Sequence, residues 1–177
     1  MTTINIPTVS TERLILRAHR LEDFETTVKI WQDPIVRKHF GARPFTREDI
    51  WARFLRQFGM WDVMGYGSFA VELKENGEYI GTVGVFEVRR DMEPNMEGTP
   101  EAGWTFASHI HGNGYATEAA RAALDWTDKA LGNPRLFAII SPENIASVRV
   151  AQKLGFTHWR DAVYQNDSIG IWLREGR

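Results

Sequence analysis

Cysteine is absent from the 177 residues, and this absence excludes several chemistries at once. Without thiols the chain has no disulfide bond, no thiolate-bound metal and no cysteine nucleophile. Long apolar runs are also lacking, since no stretch approaches the ~20 apolar residues of a membrane-spanning helix. The segment from Met1 to Pro7 shows neither the basic nor the apolar part of a signal peptide. We therefore expect a cytoplasmic protein with no membrane partner.

The chain likewise lacks a strong excess of charge and a cluster of histidines. Its formal net charge is −2, whereas nucleic-acid-binding domains usually carry a basic excess, so nucleic acid is not an expected partner. The histidines are scattered without the spacing of a metal site, and none is predicted: His19, His39, His109, His111, His158. Large apolar side chains are plentiful, with seven Trp and ten Phe. They predict a single domain over residues 1–177 with a sizeable core.

The spacing of apolar residues predicts a mixed α/β sheet with helices on its faces. Strands are predicted at residues 12–17, 68–73, 79–88, 101–106, 136–140, 156–164 and 168–173. Helices are predicted at residues 21–32, from Thr46 onward, at 116–131 and at 145–154, with a loop at 89–100. In the second helix, a stripe at helical spacing is predicted to face the core: Ile50, Trp51, Phe54, Leu55, Phe58, Trp61.

The most informative segment is a glycine-rich turn between a strand and a helix, at residues 111–117. Gly112 and Gly114 let the backbone approach a ligand closely, and the free N–H groups at a helix start suit a phosphate. Chain geometry alone is an equally good reason for glycine in such a turn. A P-loop would need a lysine after Gly114, and a dinucleotide fingerprint would need a small residue at Thr117. Neither pattern fits.

A third pattern does fit this turn. It resembles the acyl-CoA pyrophosphate loop of the GNAT superfamily of N-acetyltransferases, Gln/Arg-x-x-Gly-x-Gly/Ala. Gly114 and Ala116 stand at its last two fixed positions, and His111 replaces the usual glutamine or arginine. The replacement is tolerable because such a loop holds phosphate mainly through backbone N–H groups.

Two further segments carry the same resemblance. Residues 144–156 resemble the Asn-x-x-Ser…Lys-Leu-Gly-Phe stretch of the family, one helix and one strand after the turn. Residues 11–17 are similar to the first strand of its ribosomal-protein N-terminal (RimJ/RimL-like) acetyltransferase branch. The resemblance implies about seven mostly antiparallel strands, a central splayed parallel pair and about four flanking helices.

The resemblance also implies a cosubstrate, acetyl-CoA, bound without metal in the gap between the splayed strands. Trp104 and Phe106 would offer backbone groups to the pantetheine arm. The Asn144 amide would hydrogen-bond the cofactor, although a helix N-cap is an alternative role and both can hold. The pyrophosphate would lie on Gly112, Asn113, Gly114, Tyr115, Ala116 and Thr117.

Candidate catalytic residues follow from the same resemblance. In the RimJ/RimL-like branch a serine three residues after the asparagine protonates the departing thiolate, and Ser147 stands there. Many other members have a tyrosine where this chain has Ala151. Glu101 is the candidate general base, acting through a water, and a backbone N–H near Phe106 would stabilise the oxyanion. The alternatives are a solvent-facing serine and a plain surface glutamate.

Proton chemistry favours one class of acceptor. An α-amine with a pKa of about 7.7–8.0 is roughly a tenth neutral at pH 7, and lysine at about 10.4 is neutral well below 0.1% of the time. Because no strong base is evident, we expect the α-amine of a protein or peptide N-terminus as the substrate. A small amine (amino acid, polyamine or antibiotic) and a non-catalytic acyl-CoA-binding module are the alternatives. Either a monomer or a homodimer is compatible with this sequence.

Several acidic residues lie near the expected cleft. They would attract a cationic amine or simply belong to a solvated loop, and they are Asp91, Glu93, Glu97 and Glu101.

Overall fold

The structure, a computed structural model, describes residues 5–41 and 43–176. Within them, eight strands form one sheet and five α-helices pack around it. The strands are β1 (Val9–Ser10), β2 (Leu14–Arg17), β3 (Ser68–Leu73), β4 (Tyr79–Phe86), β5 (Glu101–Phe106), β6 (Leu136–Ile140), β7 (Thr157–Tyr164) and β8 (Asp167–Arg174). The helices are α1 (Phe24–Gln32), α2 (Pro34–Arg37), α3 (Arg47–Met64), α4 (Tyr115–Leu131) and α5 (Ile145–Lys153).

The strand order is β1-β2-β3-β4-β5-β6-β8-β7, and every neighbouring pair is antiparallel except β5 and β6. The predicted mixed sheet with a central parallel pair is therefore confirmed. The strand that the sequence did not predict is β1, a two-residue pairing with β2. None of the described helices combines the length and apolarity that crossing a bilayer requires.

The fifth helix, α2, was also not predicted. Helix α1 ends at Gln32, as expected of a residue close before proline. Pro34 then occupies the first position of α2, where its missing N–H costs nothing. The Asp33 side chain caps this short helix by accepting the Ile35 N–H at 2.8 Å. One proline thus separates two helices instead of ending one.

Helix α3 begins at the predicted cap. The Thr46 hydroxyl accepts the Asp49 N–H at 3.1 Å, and the Asp49 carboxylate accepts the Thr46 N–H at 2.9 Å. Ile50 is fully buried, but the prediction that Trp51 and Leu55 face the core is wrong. They are 38% and 48% exposed because each follows a core-facing residue and points about 100° away from it.

Two separate parts of the core hold helix α3. The Trp61 ring at the end of α3 packs against Phe69 and Trp126, each with ring centroids 5.1 Å apart. The first half of α3 packs instead against α1, through Phe24 and Phe54. Helix α3 is therefore held by packing at both ends.

Candidate active site

Strands β5 and β6 separate into an open gap. The Phe137 N–H donates to the Pro100 carbonyl at 3.1 Å, and Glu101 faces Phe137 as the one parallel pair of these strands among the described residues. After this pair the strands share no further ladder, so a wedge-shaped space opens toward Phe106. This is the splayed arrangement that the sequence resemblance implied.

Backbone polar groups of β5 line this gap. On the far edge of β5, the Ala107 N–H donates to the Ile80 carbonyl of β4 at 2.9 Å. Each residue of a strand directs its N–H and C=O groups to the same edge, and the next residue directs them to the opposite edge. Ala107 faces β4, and Pro100 faces β6. Trp104 and Phe106 therefore direct their N–H and C=O groups into the gap, where a ligand that runs along β5 would meet them.

The glycine turn lies beyond the open end of the gap. Gly112 and Gly114 both have φ of 81°, in the left-handed region that glycine adopts without strain. The Gly114 carbonyl accepts the Glu118 N–H at 3.1 Å, which starts the hydrogen bonding of α4. The N–H groups of residues 114–117 have no carbonyl acceptor within the helix, so they suit a phosphate. A β-carbon added at Gly112 would meet nothing within 4 Å, so the front of the turn is open.

Side chains within the turn hold its shape. The Asn113 amide donates to the carbonyls of Ile110 and His111, at 3.1 and 3.3 Å. The His111 Nε2–H donates to the Phe106 carbonyl at 3.0 Å and ties the end of β5 to the turn. His111 therefore has a structural contact that explains its place in the motif without any contact to a ligand.

Arg13, which sequence reasoning did not single out, reaches this turn from the segment before β2. Its Nη1 donates to the Asn113 carbonyl at 3.0 Å, and its Nε donates to Glu118 at 2.7 Å. The guanidinium also lies 4.3 Å from the Tyr115 ring centroid. The Arg13–Glu118 ion pair therefore lies at the edge of the proposed phosphate site. The sequence carries no signal for a contact across 100 positions.

Helix α5 supplies the candidate proton donor. The Asn144 Oδ1 accepts the Ser147 N–H at 3.1 Å, so Asn144 is the N-cap and its amide nitrogen remains for a ligand. The Trp104 Nε1–H donates to the Ser147 Oγ at 3.2 Å. Ser147 is thus half-buried and faces β5, so the solvent-facing alternative is excluded. Because the oxygen already accepts from Trp104, its own hydrogen is available to donate.

Glu101 lies at the closed end of the gap. Only 4% of the residue is exposed, so it is not a plain surface glutamate. Its two carboxylate oxygens accept from the Nε and Nη2 of Arg90, at 2.7 and 2.8 Å. Burial raises the pKa of Glu101, and the Arg90 pair opposes that rise. Three positions along a strand reverse the face, so the side chain points away from the face that carries Trp104.

The described residues contain no group of three or more His, Cys, Asp or Glu side chains that would hold a metal ion.

Comparisons with known proteins match acetyltransferases along most of the chain. A family model described as Acetyltransferase (GNAT) domain matches residues 13–157. The uncharacterized N-acetyltransferase p20 of Bacillus licheniformis is 31% identical over 150 residues, 84% of this chain and 82% of that protein. An acetyltransferase structure from Agrobacterium tumefaciens is 29% identical, with a TM-score of 0.82 over 99% of this chain and 98% of that one.

A more distant structure shares the fold. It is RimL, a ribosomal-protein alpha-N-acetyltransferase in complex with coenzyme A, at 14% identity. Its TM-score is 0.74, covering 96% of this chain and 98% of that one. At this identity the likeness extends to the fold alone.

Proposed function

Because the chain belongs to the GNAT acetyltransferase family, we propose that this N-acetyltransferase moves the acetyl group of acetyl-CoA to the α-amine of a protein or peptide N-terminus, as a member of the RimJ/RimL-like branch. The observation that carries the proposal is the contact between Trp104 and Ser147. It holds a hydroxyl donor against β5, within the span between the glycine turn and the closed end of the gap.

The residues present fit acetyl-CoA. The open turn offers the free N–H groups of residues 114–117 for a pyrophosphate, and Arg13 lies at its edge. Trp104 and Phe106 offer gap-facing backbone groups to the pantetheine arm. The Asn144 amide nitrogen completes the set. When bound, acetyl-CoA supplies an activated acetyl group as a thioester.

This chain's own groups then manage charge and protons. The gap-facing backbone N–H of Trp104, beside Ser147 and nearer to Glu101 than that of Phe106, would stabilise negative charge that develops on the acetyl oxygen. Ser147 would pass its hydroxyl proton to the departing sulfur and take one back from water, so that CoA leaves as the thiol and the serine is restored. The Trp104 indole N–H makes that proton easier to give because hydrogen bonds in a chain polarise one another.

The acceptor side provides less help with deprotonation. Both oxygens of Glu101 are engaged by Arg90, so the carboxylate would take a proton through a water at the rim of the pair. Such a restrained base suits an α-amine, which is already partly neutral at pH 7, better than a lysine side chain.

Thiol release from acetyl-CoA tests the proposal. The acceptors are one peptide with a free α-amine and no lysine, and the same peptide with a blocked α-amine and one lysine. We expect release and N-terminal acetylation with the first only. Acetyl-CoA at 100 times its Kd should stabilise the fold by about 2.7 kcal/mol, and NAD should not. Stabilisation without thiol release from any amine would support the non-catalytic binding module instead.

A further inference from the structure

Three arginines lie close to one another, and two of them, Arg56 and Arg90, lie near Glu101 of β5. Arg53 and Arg56 project from α3, and Arg90 belongs to the loop after β4. Burial lowers the pKa of Arg53, and the charges of Arg56 and Arg90 lower it further. Arg56 is an exposed residue, but its guanidinium is partly enclosed by protein atoms. This burial and the charge of Arg90 lower the pKa of Arg56 too. The three cations therefore lie close enough to repel one another.

Only one of these cations is neutralised within the cluster. Arg90 pairs with Glu101 through its Nε and Nη2 atoms, at 2.7 and 2.8 Å. Among residues 5–41 and 43–176, neither Arg53 nor Arg56 has a carboxylate at ion-pair distance. The charge of Asp49 acts on Arg53, but the Asp49 carboxylate forms its ion pair with Arg43, at 2.8 Å. Two positive charges are left without an ion pair, and the nearer of them to Glu101 is Arg56. Glu87 is the other carboxylate whose charge acts on Glu101.

Aromatic rings hold the arginines in place. The Arg53 guanidinium lies 4.2 Å from the ring centroid of Phe45 and 5.4 Å from that of Trp31. The Arg90 guanidinium lies 4.9 Å from the ring centroid of Tyr164, on β7. Such cation–π contacts orient a guanidinium but do not neutralise it, so its hydrogen-bond donors stay available.

The cluster lies at the end of the gap where acetyl transfer would take place. The phosphate turn follows Phe106, and the gap closes at Glu101, five strand residues or about 16 Å away. A cofactor with its pyrophosphate on the turn would therefore direct its acyl end toward Glu101. An acceptor amine that approaches from the Glu101 face would pass Arg53 and Arg56.

We propose that Arg53 and Arg56 select an acceptor that carries a carboxylate next to its reactive amine, a proposal that rests on the proposed acetyl transfer. The carboxylate is either the α-carboxylate of a free amino acid or the side-chain carboxylate of an acidic first residue in a peptide. Guanidinium groups match carboxylate geometry with two parallel hydrogen bonds. The same cluster disfavours polyamines, because Glu87, the half-buried carboxylate that acts on Glu101, is a single negative charge against Arg53 and Arg56. The acids of the 91–97 loop are exposed: Asp91, Glu93, Glu97.

Matched acceptor pairs test this proposal by thiol release. One pair is a peptide amide that begins with Asp and its counterpart that begins with Asn, and the other is a free amino acid and its carboxamide. We expect kcat/KM at least tenfold higher for the carboxylate member of one pair, which identifies the source of the carboxylate, and little release with spermidine. Arg53→Gln and Arg56→Gln should each reduce the preference several-fold. Arg47→Gln, an exposed arginine on the same helix, should leave it unchanged.

Each possible outcome decides the proposal. Equal rates within both pairs, a preference for spermidine, or an intact preference in Arg53→Gln and Arg56→Gln would overturn it while acetyl transfer stands. If no amine is acetylated, the proposed function fails, and calorimetry on the CoA-loaded protein decides the selectivity. Tighter binding of the Asp peptide than of the Asn peptide, lost in Arg56→Gln, would support the carboxylate site, and equal binding would overturn it.

Discussion

The two faces of β5 are constructed in different ways. The cofactor side depends on backbone groups, because a contiguous turn at residues 111–117 and the start of α4 present N–H groups and two glycines with φ of 81°. The acceptor side depends on side chains from separate parts of the chain, with Arg56 from α3, Arg90 from a loop and Tyr164 from β7. The cofactor side suits a cosubstrate that a whole family shares, because backbone groups do not depend on residue type. On the acceptor side, a single substitution can change which acceptor binds.

The two sides also differ in charge. The cofactor side needs few charged groups, since partial charges at a helix start already favour a phosphate, and Arg13 there is paired with Glu118. The acceptor side leaves Arg53 and Arg56 without an acidic partner among the described residues. A substitution should therefore affect cofactor affinity on one side and acceptor choice or stability on the other.

Gly114→Val should have the largest effect and should confine it to the cofactor side. A branched residue is strained at φ of 81°, and its side chain would occupy the backbone surface proposed for the pyrophosphate. We expect acetyl-CoA affinity to fall at least 100-fold by calorimetry.

Gly132→Val is the matched control, because Gly132 ends the same helix with φ of 72°. It should lose comparable stability and keep normal affinity. Equal affinity losses in both variants would assign the effect of Gly114→Val to general strain, and normal affinity in a folded Gly114→Val would show that the turn does not hold the cofactor.

Arg90→Met should have the next largest effect, on stability and on the acceptor side. It leaves the 4% exposed Glu101 without its partner, and such a loss costs about 3–5 kcal/mol in the free energy of unfolding. Arg89→Met is the control, since Arg89 pairs with Glu97 at the surface, and exposed pairs contribute less than about 1 kcal/mol. Urea titrations should separate the two variants. Equal losses would contradict the buried pair.

His19, buried against Phe54 and Phe58 of α3, should make the fold acid-labile. Burial lowers its pKa from 6.5 to about 4. Between these pH values His19 binds a proton in the unfolded chain but not in the folded chain. Its contribution to the free energy of unfolding is therefore complete above pH 6.5 and is lost as the pH falls toward 4. The loss attributable to His19 is about 3 kcal/mol. His19→Leu should flatten the profile of unfolding free energy against pH by this amount, and the exposed His158→Gln should not. Parallel profiles for His19→Leu and the unchanged protein would refute this.

Ser147→Ala should have the smallest effect, in turnover. General-acid assistance is typically worth 10²–10⁴-fold, but a CoA thiolate leaves easily, so we expect kcat to fall only about tenfold. Acetyl-CoA affinity should stay constant. Asn144→Ala should show the reverse pattern in saturation curves with acetyl-CoA varied. An unchanged kcat in Ser147→Ala would mean that another group protonates the thiolate.

Most of the fold could be predicted from the sequence. Residues 101–106 and 136–140 form strands with the predicted bounds, because their apolar runs end at clear turns. The elements missed are β1, α2 and a 3-10 helix at Ser108–Ile110, since two to four residues are too few for a periodic pattern. Exposure at Trp51 and Leu55 was missed because apolarity alone does not reveal which side of a helix meets the core.

The candidate site could be predicted only in part. Its glycine turn, Asn144 and Ser147 belong to short motifs in which local chain geometry and function coincide. Arg13 and Arg56 carry no such signal, because their role depends on which distant segments the fold brings beside them. Glu101 was identified as a candidate base, but its burial against Arg90 depends on the loop between β4 and β5.

Amide hydrogen exchange with and without acetyl-CoA tests the central claim most directly. The claim is that the cosubstrate lies along the gap-facing backbone of β5 and on the start of α4. We predict slower exchange at Trp104, at Phe106 and at residues 114–117 when acetyl-CoA is bound, and no change in the exposed loop at 91–97. Saturating acetyl-CoA that leaves exchange at Trp104 and Phe106 unchanged would contradict the account.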